Sequence, residues 1–126
     1  MAKQIIHSKD APEAIGPYSQ AVMMNGMLFV SGQIAIDRAS GEILDDNITQ
    51  ETHQVMKNLE AILSEADMSF DNIVKCSIFI KDMGQFSDIN ECYAAYFKNE
   101  PPARETVEVA RLPKDVNVEI SCIAVK

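Results

Sequence analysis

The spacing of hydrophobic positions changes along the chain, and each period predicts a different element. Residues 48 to 66 repeat apolar side chains at three and four positions, with Val55, Leu59 and Ile62 on one stripe. This period is typical of an amphipathic helix. Asn47 and Thr49 are both candidate N-caps, because short polar side chains accept hydrogen bonds from the first free helical N–H groups.

An alternation of period two predicts strands on both sides of this helix. Two short apolar runs flank Asn25-Gly26, a pair that tolerates the left-handed backbone of a tight hairpin turn. Ser40-Gly41 marks a second turn. A strand over residues 72 to 82 places one apolar set on a single face: Val74, Cys76, Ile78 and Ile80.

The second half of the chain predicts another helix and two more strands. A helix over residues 87 to 98 has Ser87 as its cap and carries its own apolar stripe. Pro101-Pro102 precedes a strand over residues 105 to 110, and the turn LPKD leads into a last strand. This order predicts one α+β domain over residues 1 to 126, with both helices on one side of a sheet.

Several strands are apolar on both faces. Met27 and Phe29 point away from the face that carries Leu28, and Ile123 and Val125 point away from the main apolar face of the last strand. Two helices can cover only one face, and a large bare apolar patch is rare on a monomer. The pattern therefore predicts a homo-oligomer in which the uncovered faces pack together.

Composition narrows the classes of function. The formal net charge is −8, from 19 acidic and 11 basic residues, which makes nucleic acid an improbable partner because phosphate binding needs clustered cations. No apolar run is long enough to span a bilayer, and the first residues lack a signal peptide's apolar core. Three dispersed cysteines form no metal or redox motif, so we expect a cytoplasmic protein without metal or cofactor.

Arg104 is the first candidate for chemistry, because two prolines restrict the backbone just before it. A guanidinium on a restricted backbone suits a bidentate grip on a carboxylate. The backbone N–H of Thr106 is expected near the same place, where it can polarise a carbonyl or imine. The plainer alternative is that Arg104 is a solvated surface residue.

Glu119 is the second candidate, because it places a carboxylate on a largely apolar strand face. It is either a residue at the rim of the sheet or a base held in a cleft. Tyr18 follows Gly16-Pro17 in GPYSQ, and Ser31 precedes Gly32 in VSGQ. Tyr18 could equally be a packed aromatic residue with a polar tip, and Ser31 only the end of a strand. His7 and His53 lack partner patterns, which argues against a nucleophilic triad, and His53 is expected on the surface.

Taken together, AIGPYSQA, FVSGQI, NIVKCSIFIKD, PPARETVEVARLPKD and VEISCIAV resemble the RidA (YjgF) family of imine deaminases, from about residue 5 to residue 126. The resemblance implies a chorismate mutase-like fold, with one mixed sheet, two helices on one face and a homotrimer whose sheets form a central barrel. It also implies hydrolysis of imines such as 2-aminoacrylate and 2-iminobutanoate, which pyridoxal-phosphate (PLP) dehydratases release, to 2-oxo acids and ammonia.

The same resemblance implies roles for individual residues. Arg104 would hold the substrate carboxylate and Glu119 a water molecule, in clefts between subunits. The remaining substrate-binding positions would be Tyr18, Ser31, Asn90 and Thr106. Glu105 and Thr106 stand where many members have serine and cysteine; alternation places the side chain of Glu105 away from Arg104, so a small effect is expected.

Two other functions use the same chain differently. A non-catalytic trimer that senses a small carboxylate would need Arg104 but not Glu119. An RNA-cleaving or translation-inhibiting protein, an activity attributed to some relatives, is disfavoured by the acidic charge and by the absence of a histidine pair.

Overall fold

The computed structural model describes residues 2–126 as six strands and two helices. The strands form one mixed sheet in the order β1-β2-β3-β6-β4-β5, in which only the β4–β5 pair is parallel. The elements are β1 (Gln4–Ile6), β2 (Ala21–Met24), β3 (Met27–Gln33), α1 (Ile48–Glu65), β4 (Ile73–Ile80), α2 (Phe86–Ala94), β5 (Ala103–Glu108) and β6 (Val118–Val125). The α+β class and the single mixed sheet with two helices are confirmed.

The hairpin and the first helix follow the sequence pattern closely. Asn25 and Gly26 both have positive φ, 51° and 77°, as a tight turn between β2 and β3 requires. Asn47, not Thr49, caps α1, since its Oδ1 accepts a hydrogen bond of 2.8 Å from the backbone N–H of Gln50. The short edge strand β1 was not predicted.

The second helix is shorter than predicted and begins in another way. It ends at Ala94 and has no side-chain cap, so the prediction of Ser87 as its cap is wrong. A 3-10 turn over Met83–Gln85 leads directly into it, and Asp82 caps that turn by accepting from the N–H of Gly84 at 2.8 Å. The turn thus supplies the helical geometry that a cap would otherwise start.

A β-bulge near the start of β4 overturns the predicted position of Val74. The register with β6 shifts between Ile73 and Lys75, so Ile73 is buried while Val74 is 48% exposed. From Cys76 onward the predicted face is buried. Strand β5 begins at Ala103, two residues earlier than predicted, and therefore contains Arg104.

The helices cover one face of the sheet and leave the other bare. The covered face holds the core with Cys76 and Cys122, and Cys92 is buried on α2, so all three cysteines are free and buried as expected. On the bare face Met27 and Phe29 are exposed, while Ile123 and Val125 are half-buried. The two-faced strands are thus confirmed.

A polar group crosses this bare face, which we call the Glu105 cluster: Lys75, Ser77 and Glu105. The Glu105 carboxylate accepts from the Ser77 hydroxyl and lies 2.8 Å from the Lys75 ammonium. The hydrogen bond to Lys75, and to a lesser extent that to Ser77, holds the pKa of Glu105 below its usual value. As predicted, this side chain points away from Arg104.

A buried carboxylate joins α1 to the start of β6. Glu51 is fully buried, and its two oxygens accept from the backbone N–H and the side-chain amide of Asn117, each at 2.8 Å. We expect Glu51→Ala to lower the free energy of unfolding by about 2–3 kcal/mol, because two half-buried donors of Asn117 lose their buried acceptor. Urea denaturation measures this loss. The exposed Glu60→Ala on the same helix is the matched control, and an equal effect of both would contradict the assignment.

Neither helix of residues 2–126 has the length and apolar character needed to cross a membrane.

Candidate functional site

Arg104 lies against aromatic rings instead of projecting into solvent. Its guanidinium carbon is 5.0 Å from the ring centroid of Tyr93 and 5.5 Å from that of Phe86, both on α2. Such stacking holds a cation without neutralising it. Among residues 2–126, none forms an ion pair with Arg104, so its charge is available to a ligand.

Helix α2 and the two prolines shape the space around this guanidinium. Phe86, Asn90 and Tyr93 are spaced four and three residues apart, which places them on one face of α2. Asn90 and Arg104 therefore line one cavity of about 320 Å³, and the rest of its wall is mainly apolar: Tyr93, Ala94, Phe97, Pro101 and Pro102.

Thr106 offers a free backbone donor at the open edge of the sheet. The N–H of Val109 donates to the carbonyl of Ile80 on β4 at 2.9 Å. Backbone groups alternate in direction along a strand, so the N–H of Thr106 points away from β4, on the side where β5 has no neighbour. Its hydroxyl is buried without a partner among the described residues.

A second cavity, of about 500 Å³, collects the other predicted residues. Tyr18, Ser31 and Glu119 all line it. Glu119 is half-buried on β6, and loss of hydration raises the pKa of its carboxyl above the ordinary value. A carboxylate whose pKa is raised toward neutrality is a better proton acceptor in water at neutral pH than an ordinary one.

The hydroxyl of Ser31 is already used as a hydrogen-bond donor within the fold. Its Oγ donates to the carbonyl of Ser19 at 2.6 Å, and its N–H donates to the carbonyl of Gln20 at 2.9 Å. The hydroxyl proton is therefore committed, and Ser31 can only accept a hydrogen bond from a ligand. Ser31 and Gly32 lie in an irregularity between β3 and β6, which turns them toward the cavity.

Gly32 also lines this cavity, although it was not among the predicted site residues. A β-carbon built there would lie 2.6 Å from Oε2 and 2.8 Å from Cδ of Glu119. The absent side chain is therefore what lets the carboxylate rest against the β3 backbone. The only available signal was a glycine inside a strand pattern, which often marks a bulge or a close approach.

Arg104 and Glu119 do not meet within one chain. Arg104 pairs with Cys76 and projects to the helix-covered face, whereas Glu119 pairs with Phe79 and projects to the bare face. Strand β4 also separates them, which adds about 10 Å between their strands. One chain thus presents two separate groups of candidate residues, which we call half-sites: Asn90, Arg104 and the Thr106 edge, and Tyr18, Ser31 and Glu119.

The histidines belong to neither half-site. Nε2 of His7 lies 2.9 Å from the carboxylate of Glu13, and Nδ1 of His53 lies 2.8 Å from the hydroxyl of Tyr96. His53 is half-buried, so the prediction of a surface residue is wrong. Across residues 2–126, no group of three His, Cys, Asp or Glu side chains is arranged to hold a metal ion.

Comparison with known proteins assigns the family. The family model described as endoribonuclease L-PSP matches residues 8–126. A RutC family protein of Pyrococcus abyssi is 47% identical over 126 residues, which cover 100% of this chain and 99% of the relative. The chain belongs to the Rid/L-PSP family.

Solved structures of Rid/L-PSP proteins agree with this assignment. YyfA of Yersinia pestis, from the conserved Rid protein family, has a TM-score of 0.97 at 48% identity, with 99% of this chain and 100% of that chain covered. TdcF of Escherichia coli, solved with bound serine, has a TM-score of 0.94 at 41% identity, with 98% of each chain covered. The resemblance to the RidA (YjgF) family is therefore confirmed at the level of family and fold.

Proposed function

We propose that this Rid/L-PSP protein hydrolyses 2-imino acids, and their enamine tautomers, to 2-oxo acids and ammonia. The reaction converts R–C(=NH)–COO⁻ and water into R–C(=O)–COO⁻ and NH₃. The observation that carries the proposal is the half-buried guanidinium of Arg104, which packs against the rings of Tyr93 and Phe86 and has no ion-pair partner among residues 2–126. A planar cation fixed in this way matches a substrate carboxylate. The structure of TdcF with serine, itself a small carboxylate, supports this class of ligand.

The proposed assembly is a homotrimer that joins the two half-sites. The bare sheet face, with Met27 and Phe29 exposed, supplies an apolar surface for neighbouring copies. In this arrangement, Arg104, Asn90 and the N–H of Thr106 from one copy face Tyr18, Ser31 and Glu119 from the next. The substrate then bridges two chains, as the separation of Arg104 from Glu119 within one chain requires.

Within this site the chemistry needs only positioning and one proton acceptor. Arg104 holds the carboxylate and thereby fixes the neighbouring imine carbon. The N–H of Thr106 and the hydroxyl of Tyr18 orient the substrate, and Ser31 accepts one hydrogen bond. Glu119 orients a water molecule and accepts its proton as oxygen bonds to carbon. The resulting carbinolamine then expels ammonia.

The direct test couples the protein to a PLP-dependent threonine dehydratase and follows release of 2-oxobutanoate in the presence of an imine trap. We expect the wild-type protein to accelerate release, and Glu119→Gln to lose roughly 100-fold in kcat/KM because the proton acceptor is removed. Activity should fall as the pH drops through the pKa of Glu119, since only the carboxylate accepts a proton. Because burial raises that pKa, this loss of activity at low pH, the acid limb of the pH profile, should occur above the pH at which an ordinary glutamate titrates.

Glu13→Gln is the matched control, because Glu13 lines the same cavity but is committed to His7 and Arg38. It should keep the acid limb. Unchanged turnover in Glu119→Gln would contradict the role of Glu119. Together with intact ligand binding, that result would favour the non-catalytic regulatory trimer.

The family description keeps RNA cleavage as the second candidate. The two histidines have separate partners, and the net charge of −8 opposes polyanion binding. Incubation of the same preparation with single-stranded RNA separates the candidates: cleavage lost in a catalytic-site variant would support the nuclease.

A further inference from the structure

Lys114 has an unusual backbone conformation beside the Glu119 cavity. It lies in a 3-10 turn, Pro113–Asp115, between β5 and β6, with φ of 54°, and Asp115 follows with φ of 55°. Two successive non-glycine residues at positive φ are rare because each Cβ crowds the backbone. Such strain persists only where the surroundings enforce it.

The surroundings of this turn do enforce it. The carboxylate of Asp115 lies 2.9 Å from the ammonium of Lys81, and the N–H of Asp115 donates to the carbonyl of Leu112 at 3.0 Å. Beyond the turn, buried Glu51 accepts both donors of Asn117. The backbone at Lys114 is therefore fixed from both sides, while its side chain remains exposed.

The side chain of Lys114 is a cation without an ion-pair partner among the described residues, and it belongs to a cavity wall. Lys114 lines the same cavity as Tyr18 and Glu119, and none of residues 2–126 forms an ion pair with it. The other acidic group in the wall, Glu13, lies 2.9 Å from both His7 and Arg38. Lys114 therefore brings to this cavity wall a side chain whose ammonium forms no ion pair with any carboxylate of the described chain.

We propose that Lys114 binds a second carboxylate on the substrate side chain, so that the site favours 2-imino dicarboxylates over 2-imino monocarboxylates. The inference depends on the proposed function, in which Arg104 of a neighbouring copy holds the carboxylate beside the imine. The substrate then lies between two cations, with its reacting carbon near Glu119 and its distal carboxylate at Lys114. A lysine suits this task because its ammonium is a compact charge on a flexible stem. The distal carboxylate takes no part in the chemistry.

Calorimetric binding of two stable product analogues tests the proposal: 2-oxoglutarate, with two carboxylates, and 2-oxobutanoate, with one. We expect the wild type to prefer 2-oxoglutarate about tenfold, which corresponds to one charge-assisted hydrogen bond. Lys114→Met should remove that preference, and Lys114→Arg should retain most of it. The exposed Lys126→Met is the matched control and should bind both ligands as the wild type does.

The outcomes separate this inference from the proposed function. A wild type without preference, or a Lys114→Met variant that weakens both ligands equally, overturns the role of Lys114 and leaves imine hydrolysis unaffected. Failure to bind either ligand, or unchanged binding in Arg104→Ala, overturns the proposed carboxylate site itself. The same ratio should appear in kcat/KM when dicarboxylic and monocarboxylic imines are generated in the coupled assay.

Discussion

Arg104→Ala is expected to reduce kcat/KM for imine hydrolysis roughly 100- to 1,000-fold, because two charge-assisted hydrogen bonds to the substrate carboxylate disappear. The guanidinium has no ion-pair partner among residues 2–126, so its removal should leave no buried charge unpaired. Calorimetric binding of 2-oxobutanoate and the coupled assay measure the two effects. Arg104→Lys should fall between the two proteins, since it keeps the charge and loses the planar fork.

The matched control for Arg104 is Arg111→Ala. Arg111 is exposed and follows β5 in the chain, outside both cavities. Its removal changes the net charge by the same amount, so equal losses in the two variants would point to a general electrostatic effect and contradict a specific clamp. Size-exclusion chromatography of both variants checks that they keep the oligomeric state of the wild type.

Gly32→Ala is expected to lower kcat roughly 100-fold with little change in carboxylate binding, since a misplacement of about 1 Å at a reacting group has this cost. The new Cβ would overlap Oε2 of Glu119, which lies 2.6 Å from its position. The carboxylate sits at the end of a flexible side chain and can move aside. Gly32 does not have a left-handed backbone, so the fold should tolerate alanine.

A shorter acid at the second position distinguishes steric displacement from general damage. In the double variant Gly32→Ala, Glu119→Asp, the carboxylate is drawn back from the added methyl group. We expect it to recover part of kcat relative to Gly32→Ala alone. A double variant whose losses simply multiply would show that the two residues act independently, contrary to the contact seen here.

Sequence rules predicted the features that depend only on residues close together in the chain. Asn25-Gly26 makes the hairpin turn, and Asn47, one of the two candidate caps, caps α1. The rules failed where neighbouring segments decide the outcome. The exposed Val74 depends on a register shift against β6, and α2 begins without a side-chain cap because the preceding turn leads into it.

The candidate site divides in the same way. Arg104 and Glu119 were predicted as carriers of the chemistry, but alternation along single strands could not show that they occupy opposite faces of a shared sheet. Gly32 escaped selection because its importance lies in the space it leaves for Glu119, which only the assembled strands reveal. Lys114 was not selected because a lysine in a turn gives no sequence signal of a positive φ.

The Glu105 cluster makes the bare sheet face chemically uneven. On a uniformly apolar surface, a covering partner could shift or rotate at little cost in free energy. The Glu105 cluster instead places hydrogen-bonded polar groups at one position on this face. Any surface that covers this face must either match the cluster or strip it of water at a cost. In the proposed trimer, the polar cluster would therefore fix the relative orientation of the packed copies, while the surrounding apolar side chains would supply most of the buried area.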